Sequence, residues 1–169
     1  MKTDWATADI RTDELVPLLR GADAVVFAAG GGPDSGVARK ETVDKGAAIL
    51  LADAAERAGV RRYLMVSAMG TEHADPSSAD VFQVYLRAKQ AADDDLRARD
   101  LDWTVVRPGG LTDDPGTGRV RVGTLERGDI PRADVAAVLA GCLGSTTTVR
   151  RTFDLLTGDV PVDEALAGL

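Results

Sequence analysis

Residues 24–29, Ala-Val-Val-Phe-Ala-Ala, form an unbroken apolar run that stops at Gly30-Gly31-Gly32. Six apolar residues without alternation predict a strand covered on both faces, the environment of a parallel sheet. Parallel neighbours need crossovers of about a dozen residues or more, and the sequence supplies them. A helix-length stretch leads to Ala58 and ends at Gly59, and Arg62-Tyr63-Leu64-Met65-Val66-Ser67 follows as a second buried strand. After a polar loop over 69–78 comes a helix with an apolar stripe through Val81, Tyr85, Ala88, Ala92 and Leu96. Trp103 to Val106 is a third strand, stopped by Pro108-Gly109-Gly110. A short strand at Val120–Val122, a helix over 131–143 and a strand near 152–156 complete the pattern. Strand and helix alternate throughout, the signature of an α/β fold. No repeat, low-complexity tract or linker interrupts it, so residues 1–169 read as a single domain.

Local signals place some boundaries. Thr12 is the expected cap of a helix running to Arg20, with Gly21 beyond its end. Pro17 suits that helix only in its first turn. Ser77 and Asp80 predict a capping box ahead of the helix that carries Tyr85.

Composition excludes several classes of function. A net charge of -7 and a pI of about 4.7 leave no basic stripe for nucleic acid. No apolar run approaches the roughly 20 residues of a membrane span. Met1-Lys2-Thr3-Asp4-Trp5 lacks a signal-peptide core, so a cytoplasmic location is expected. Cys142 is the sole cysteine and His73 the sole histidine, which leaves no disulfide and no expected metal site. Cys142 falls on the apolar side of its helix and reads as core.

Candidate chemistry starts with Tyr85-Leu86-Arg87-Ala88-Lys89, because residues four apart share a helix face. A cation beside Tyr85 would lower its pKa from near 10 and suit it to acid/base work. The alternative is a core tyrosine next to a solvated lysine. Ser67 closes a predicted buried strand, the end at which open α/β sheets place ligands, though a serine satisfied by backbone fits equally well. The turn over 30–36 is glycine-rich but spaced off the dinucleotide fingerprint, and Pro33 removes a donor; it reads as flanking a cofactor rather than cradling a pyrophosphate. Asp44 interrupts an otherwise apolar helix and is a candidate unless it lies on the outer face. Asp93-Asp94-Asp95 reads as a solvated helix face, and Asp113-Asp114 as a turn. Lysine occurs only at positions 2, 40, 45 and 89, which makes each one worth locating.

Taken together, residues 21–30, 62–67, Tyr85-x-x-x-Lys89, Leu101-Asp102-Trp103-Thr104-Val105-Val106-Arg107-Pro108-Gly109-Gly110-Leu111-Thr112 and Arg132-Ala133-Asp134-Val135-Ala136 resemble the atypical short-chain dehydrogenase/reductases. The nearest group is the NAD(P)H-binding, sugar-epimerase-like branch. The resemblance implies a Rossmann-like, mostly parallel sheet with flanking helices. It implies hydride transfer with NAD or NADP on a small-molecule substrate, with Tyr85 as proton shuttle. Lys89 would lower the Tyr85 pKa and bind the nicotinamide ribose, Ser67 would hold the substrate oxygen, and Asp44 matches a further site position. Asp9 and Ile10 would lie by the adenine, Ala28, Ala29 and Gly30 by the adenosine ribose, and Pro108 and Gly109 by the nicotinamide. A non-catalytic NAD(P)H-binding redox sensor, or an inactive fragment of such a protein, is the alternative.

The departure from the family is at the start. The family opens with a strand and a Gly-x-x-Gly-x-x-Gly loop, and Met1 corresponds to the end of its third strand. The expectation is therefore an N-terminally truncated fold without the family's first three strands. Cofactor binding would be weak or absent, and residues 24–29 would form an open edge that could join a second copy in a homodimer.

Overall fold

The computed structural model describes residues 11–32 and 34–169; Asp9 and Ile10 lie outside them. In chain order the strands are β1 (Ala24–Phe27), β2 (Arg62–Val66), β3 (Asp102–Pro108), β4 (Gly110–Thr112), β5 (Arg119–Gly123), β6 (Asp129–Pro131), β7 (Arg151–Thr157) and β8 (Val160–Pro161). The helices are α1 (Thr12–Leu19), α2 (Val37–Arg39), α3 (Ala48–Ala58), α4 (Val81–Arg97), α5 (Arg132–Gly144) and α6 (Val162–Ala167). A π-helical segment, Lys40–Ala47, joins α2 to α3. Strands β1, β2, β3 and β7 run parallel in that order, and β5 and β8 close the far side antiparallel. β4 and β6 form a separate parallel pair.

Two cores sandwich the sheet. On one face Val25, Phe27, Tyr63, Met65, Trp103 and Val105 meet Ala48, Ala52 and Ala55 of α3 and Ala92 and Leu96 of α4. On the other, Leu64, Val106, Phe153 and Leu155 meet Val135, Val138 and Cys142 of α5 and Leu166 of α6. Successive side chains of a strand point to opposite faces, so a continuous apolar run serves both layers. At β1 this expectation is corrected. Val25 and Phe27 are buried, but Val26 is 42% exposed because its face is uncovered. Among the described residues β1 pairs only with β2, which makes it an edge.

Helix ends differ from the sequence expectation in instructive ways. Arg11, not Thr12, caps α1: its N–H donates to the Glu14 carboxylate at 3.1 Å. Pro17 lies in the interior of α1, beyond the first turn. Asp80 caps α4 alone, accepting from the N–H groups of Phe82 and Gln83, while Ser77 turns back to Asp75. Gly59 stops α3 at a φ of 77°, as a left-handed C-cap demands. β4, β6 and β8 are too short to have carried a periodic signal. No helix among the described residues is long and apolar enough to cross a membrane.

Asp134, buried at the start of α5, fixes the turn into β5. It accepts from the N–H groups of Thr117 and Gly118 at 2.9 and 2.8 Å and from the Thr117 hydroxyl at 3.1 Å. Burial alone would raise its pKa; these donors outweigh that and hold it below the ordinary 3.8. A depressed carboxylate contributes stability that is present above its unfolded pKa and lost as pH falls through the folded one. Replacing Asp134→Ala is expected to cost about 2–3 kcal/mol at neutral pH. In urea unfolding the gap from the native protein should narrow as pH drops below 3.8. A gap that stays constant with pH would contradict this account.

Candidate functional site

Because β1, β2 and β3 are parallel, their carboxyl ends share one edge of the sheet. The chain extends the pairing slightly: Ser67 N–H donates to the Val106 carbonyl at 2.8 Å and Met69 N–H to that of Pro108 at 3.1 Å. Above this edge opens a cleft of about 650 Å³ whose lining includes Ala29, Lys40, Asp44, Ser67, Tyr85 and Lys89. It adjoins a second cleft of about 760 Å³ lined by Pro108, Gly109, Arg127 and Gly128. Ser67, Phe82, Tyr85, Leu111 and Arg132 border both. The predicted residues Ser67, Tyr85, Lys89, Asp44, Ala28, Ala29 and Gly30 are thus brought to one cavity, and Pro108 and Gly109 to its neighbour.

The floor is ionic. Lys89 is buried and its ammonium donates to the carbonyls of Ala29 and Val66 at 3.3 and 3.1 Å. It also stands 3.5 Å from Asp44, which is fully buried. Asp44 accepts from the Gly31 N–H at 3.1 Å. A Cβ at Gly30 or Gly31 would lie 3.1 Å from the Asp44 carboxylate, so the close approach of the turn favours glycine. The π-helical segment carries both Lys40 and Asp44, and such segments concentrate at functional sites. Burial lowers the Lys89 pKa, and Asp44 opposes the shift.

This arrangement overturns one expectation. Lys89 is committed to the strand ends and Asp44, and no hydrogen bond joins it to Tyr85. The Tyr85 hydroxyl is pushed up to about 12, first by burial and then by the negative charges of Asp44 and Asp93. Tyr85 is therefore a neutral phenol at pH 7 that carries its proton and releases it less readily than a free tyrosine. Lys89 is also no solvated lysine, contrary to the alternative reading.

The second correction concerns Asp93. It is not part of a solvated face: it is fully buried one helical turn beyond Lys89 and pairs with Arg107 at 2.9 Å. Arg107 also reaches Glu72 at 2.9 Å and Gln90 at 3.3 Å. Burial raises the Asp93 pKa, opposed by the Ser67 hydroxyl and Arg107. Ser67 Oγ and Asp93 Oδ1 are buried without a closed hydrogen bond, whereas Asp44 Oδ1 faces the Lys89 ammonium. The orphaned oxygens lie in and beneath the first cleft.

Lys40 and Arg132 also line the first cleft, Arg127 lines the second, and Arg107 stands behind with Asp93, positions that the sequence pattern does not mark. The scarcity of lysine was the only sequence signal for Lys40. His73 is exposed near Glu72, and Asp113 pairs with Arg132 at 2.9 Å. Cys142 is buried in the second core. Among the described residues no cluster of His, Cys, Asp or Glu is arranged to hold a metal ion.

Residues 2–146 match a family described as NAD(P)H-binding. The uncharacterized sugar epimerase YhfK of Bacillus subtilis is 40% identical over 158 residues, covering 93% of this chain and 73% of that protein. A solved structure from Bacillus halodurans, named for an NAD-dependent epimerase/dehydratase, is 38% identical with a TM-score of 0.85, covering 91% of this chain and 73% of the other. The oxidoreductase ylbE from Lactococcus lactis is 26% identical with a TM-score of 0.84, covering 95% and 74%.

The Asp44–Lys89 pair can be tested directly. Breaking a buried pair leaves an uncompensated charge and costs about 3–5 kcal/mol. Asp44→Asn should destabilise the fold on that scale in urea. Adding Lys89→Met should recover part of the loss, giving a coupling energy in a double-mutant cycle. Simple additivity of the two losses would show that the pair is not coupled.

Proposed function

The chain belongs to the NAD(P)H-binding family, and from that premise we propose that it serves an NAD(P)-dependent oxidoreductase or epimerase of the atypical short-chain dehydrogenase type. One observation carries this reading: Ser67, Tyr85, Lys89 and Asp44 meet on one cleft at the carboxyl ends of parallel strands. Open α/β sheets place dinucleotides there. The residues fit such a group, since Gly30 and Gly31 keep the turn low and Ser67 Oγ is buried at the cleft with no hydrogen bond of its own. When bound, a nicotinamide supplies hydride exchange at its C4 atom.

The chain's own residues would do the rest. Ala28, Ala29, Gly30 and Lys89 would hold the ribose side, and Pro108 and Gly109 would flank the nicotinamide. Asp9 and Ile10, outside the described residues, would lie by the adenine. Asp44 would fix the Lys89 ammonium in place. Ser67 would hydrogen-bond the substrate oxygen, and Tyr85, as a neutral phenol, would deliver a proton to that oxygen. NAD and NADP both remain compatible with this arrangement, and a cytoplasmic location accords with it.

We also propose that residues 1–169, as one Rossmann-like domain, hold the cofactor weakly. A donor in the glycine turn that could face a pyrophosphate is otherwise engaged: the Gly31 N–H is held by Asp44. The open side of β1, with Val26 bare, would suit pairing with a second copy.

A second reading, a non-catalytic NAD(P)H sensor, is favoured by the engagement of Lys89 with Asp44 and two strand-end carbonyls rather than with the Tyr85 hydroxyl. Titration with NADPH and NADH, followed by nicotinamide fluorescence, is expected to show binding weaker than micromolar. Tyr85→Phe should lower turnover by about 10²–10⁴-fold while leaving binding unchanged. Unaltered turnover would overturn the proton-donor role. Binding without turnover by the native protein across aldehydes, ketones and sugar nucleotides would establish the sensor.

A further inference from the structure

Lys40 is the cation of the cleft that the reading above does not use. It opens the π-helical segment and is 5% exposed. Its ammonium donates to the Gly32 carbonyl at 2.5 Å and sits 5.1 Å from the centre of the Tyr85 ring. Among the described residues no carboxylate lies within ion-pair distance of it. Asp44, one turn along the same segment, is taken by Lys89 and the Gly31 N–H. Asp93 is taken by Arg107, and Arg132 at the rim has Asp113. The floor of the first cleft therefore holds the ammonium groups of Lys40 and Lys89 against the single carboxylate of Asp44.

A buried charge is costly unless it is paired. Lys40 meets that cost with one carbonyl and a ring face, an arrangement stabilised by the ring's negative π-cloud. An ammonium has three donors, so two remain beyond the bond to Gly32. Tyr85 borders both clefts, so a group seated on Lys40 would also lie beside the phenol.

We infer that Lys40 is the anion-binding residue of this cleft, receiving a phosphate or carboxylate oxygen of the ligand next to Tyr85. Lys89 has no comparable freedom, since Ala29, Val66 and Asp44 surround its ammonium. Lys40 thus completes the charge balance of the floor only when an anion is present. The anion can belong to the cofactor, as a phosphate, or to the substrate.

The scarcity of lysine makes a direct test practical. With lysine labelled at the ε-carbon, residues 2, 40, 45 and 89 are the only sources of signal. Loss of a signal in Lys40→Arg and in Lys45→Met assigns those two residues. Inorganic phosphate and acetate are titrated separately, with NADPH added in a further series. The expected result is a saturable shift of the Lys40 signal with phosphate or acetate, unaffected by Lys45→Met. Lys40→Met should weaken that binding about tenfold or more, the worth of a charge-assisted hydrogen bond, and Lys40→Arg should restore most of it. A Lys40 signal unmoved by both anions would overturn the proposal, as would wild-type affinity in a folded Lys40→Met protein. If Lys40→Met does not fold, the native titration decides alone. Competition between NADPH and phosphate would assign the anion to the cofactor, and simultaneous binding would assign it to the substrate. Failure of NADPH to bind counts against the cofactor reading but leaves the Lys40 result standing.

Discussion

The ammonium of Lys89 ties together the ends of β1 and β2, the π-helical segment and α4. It draws on the carbonyl ends of β1 and β2, on Asp44 in the π-helical segment, and is itself mounted on α4. A parallel sheet leaves carbonyl oxygens at its carboxyl edge with no strand beyond to satisfy them. A buried cation answers that need and in turn requires a buried anion. Asp44 is that anion, and its second oxygen anchors the glycine turn through Gly31. The floor of the site is thus a consequence of how the sheet ends are satisfied.

One turn further along α4 the same logic repeats with a different cation. Asp93 is buried beneath the cleft and pairs with Arg107 of β3, which reaches on to Gln90 and Glu72. Tyr85, Lys89 and Asp93 fall at intervals of four along one helix face. The face presents a phenol at the cleft, an ammonium at the strand ends and a carboxylate below. Burial, and then the two carboxylates Asp44 and Asp93, set the Tyr85 phenol high, so in the free protein it keeps its proton.

The backbone layout was legible because continuous apolar runs and glycine stops recur at the right distances. Residues 62–66 and 102–108 emerge as central strands, and Gly59 ends α3. The site constellation was legible as residues but less so as interactions. The interval between Tyr85 and Lys89 fixes a shared face, yet it does not say which partner Lys89 prefers. Two strand-end carbonyls and Asp44 outcompete the phenol, and only the fold brings those together. Three adjacent aspartates suggest solvent, and nothing local signals the burial of Asp93, because its counter-charge, Arg107, lies on another element. Val26 was misread because an apolar run does not record whether a helix layer reaches over it.

The rim of the cleft differs in kind from its floor. Val81, Phe82 and Leu111 are 40%, 50% and 41% exposed and border the cavity from α4 and β4. Exchanging such side chains removes little buried area, so the fold hardly registers the change. The floor, by contrast, is locked by charges that cannot be altered singly. A lineage carrying this fold is therefore free to explore new ligands at the rim by ordinary drift, while the chemistry beneath is inherited almost intact.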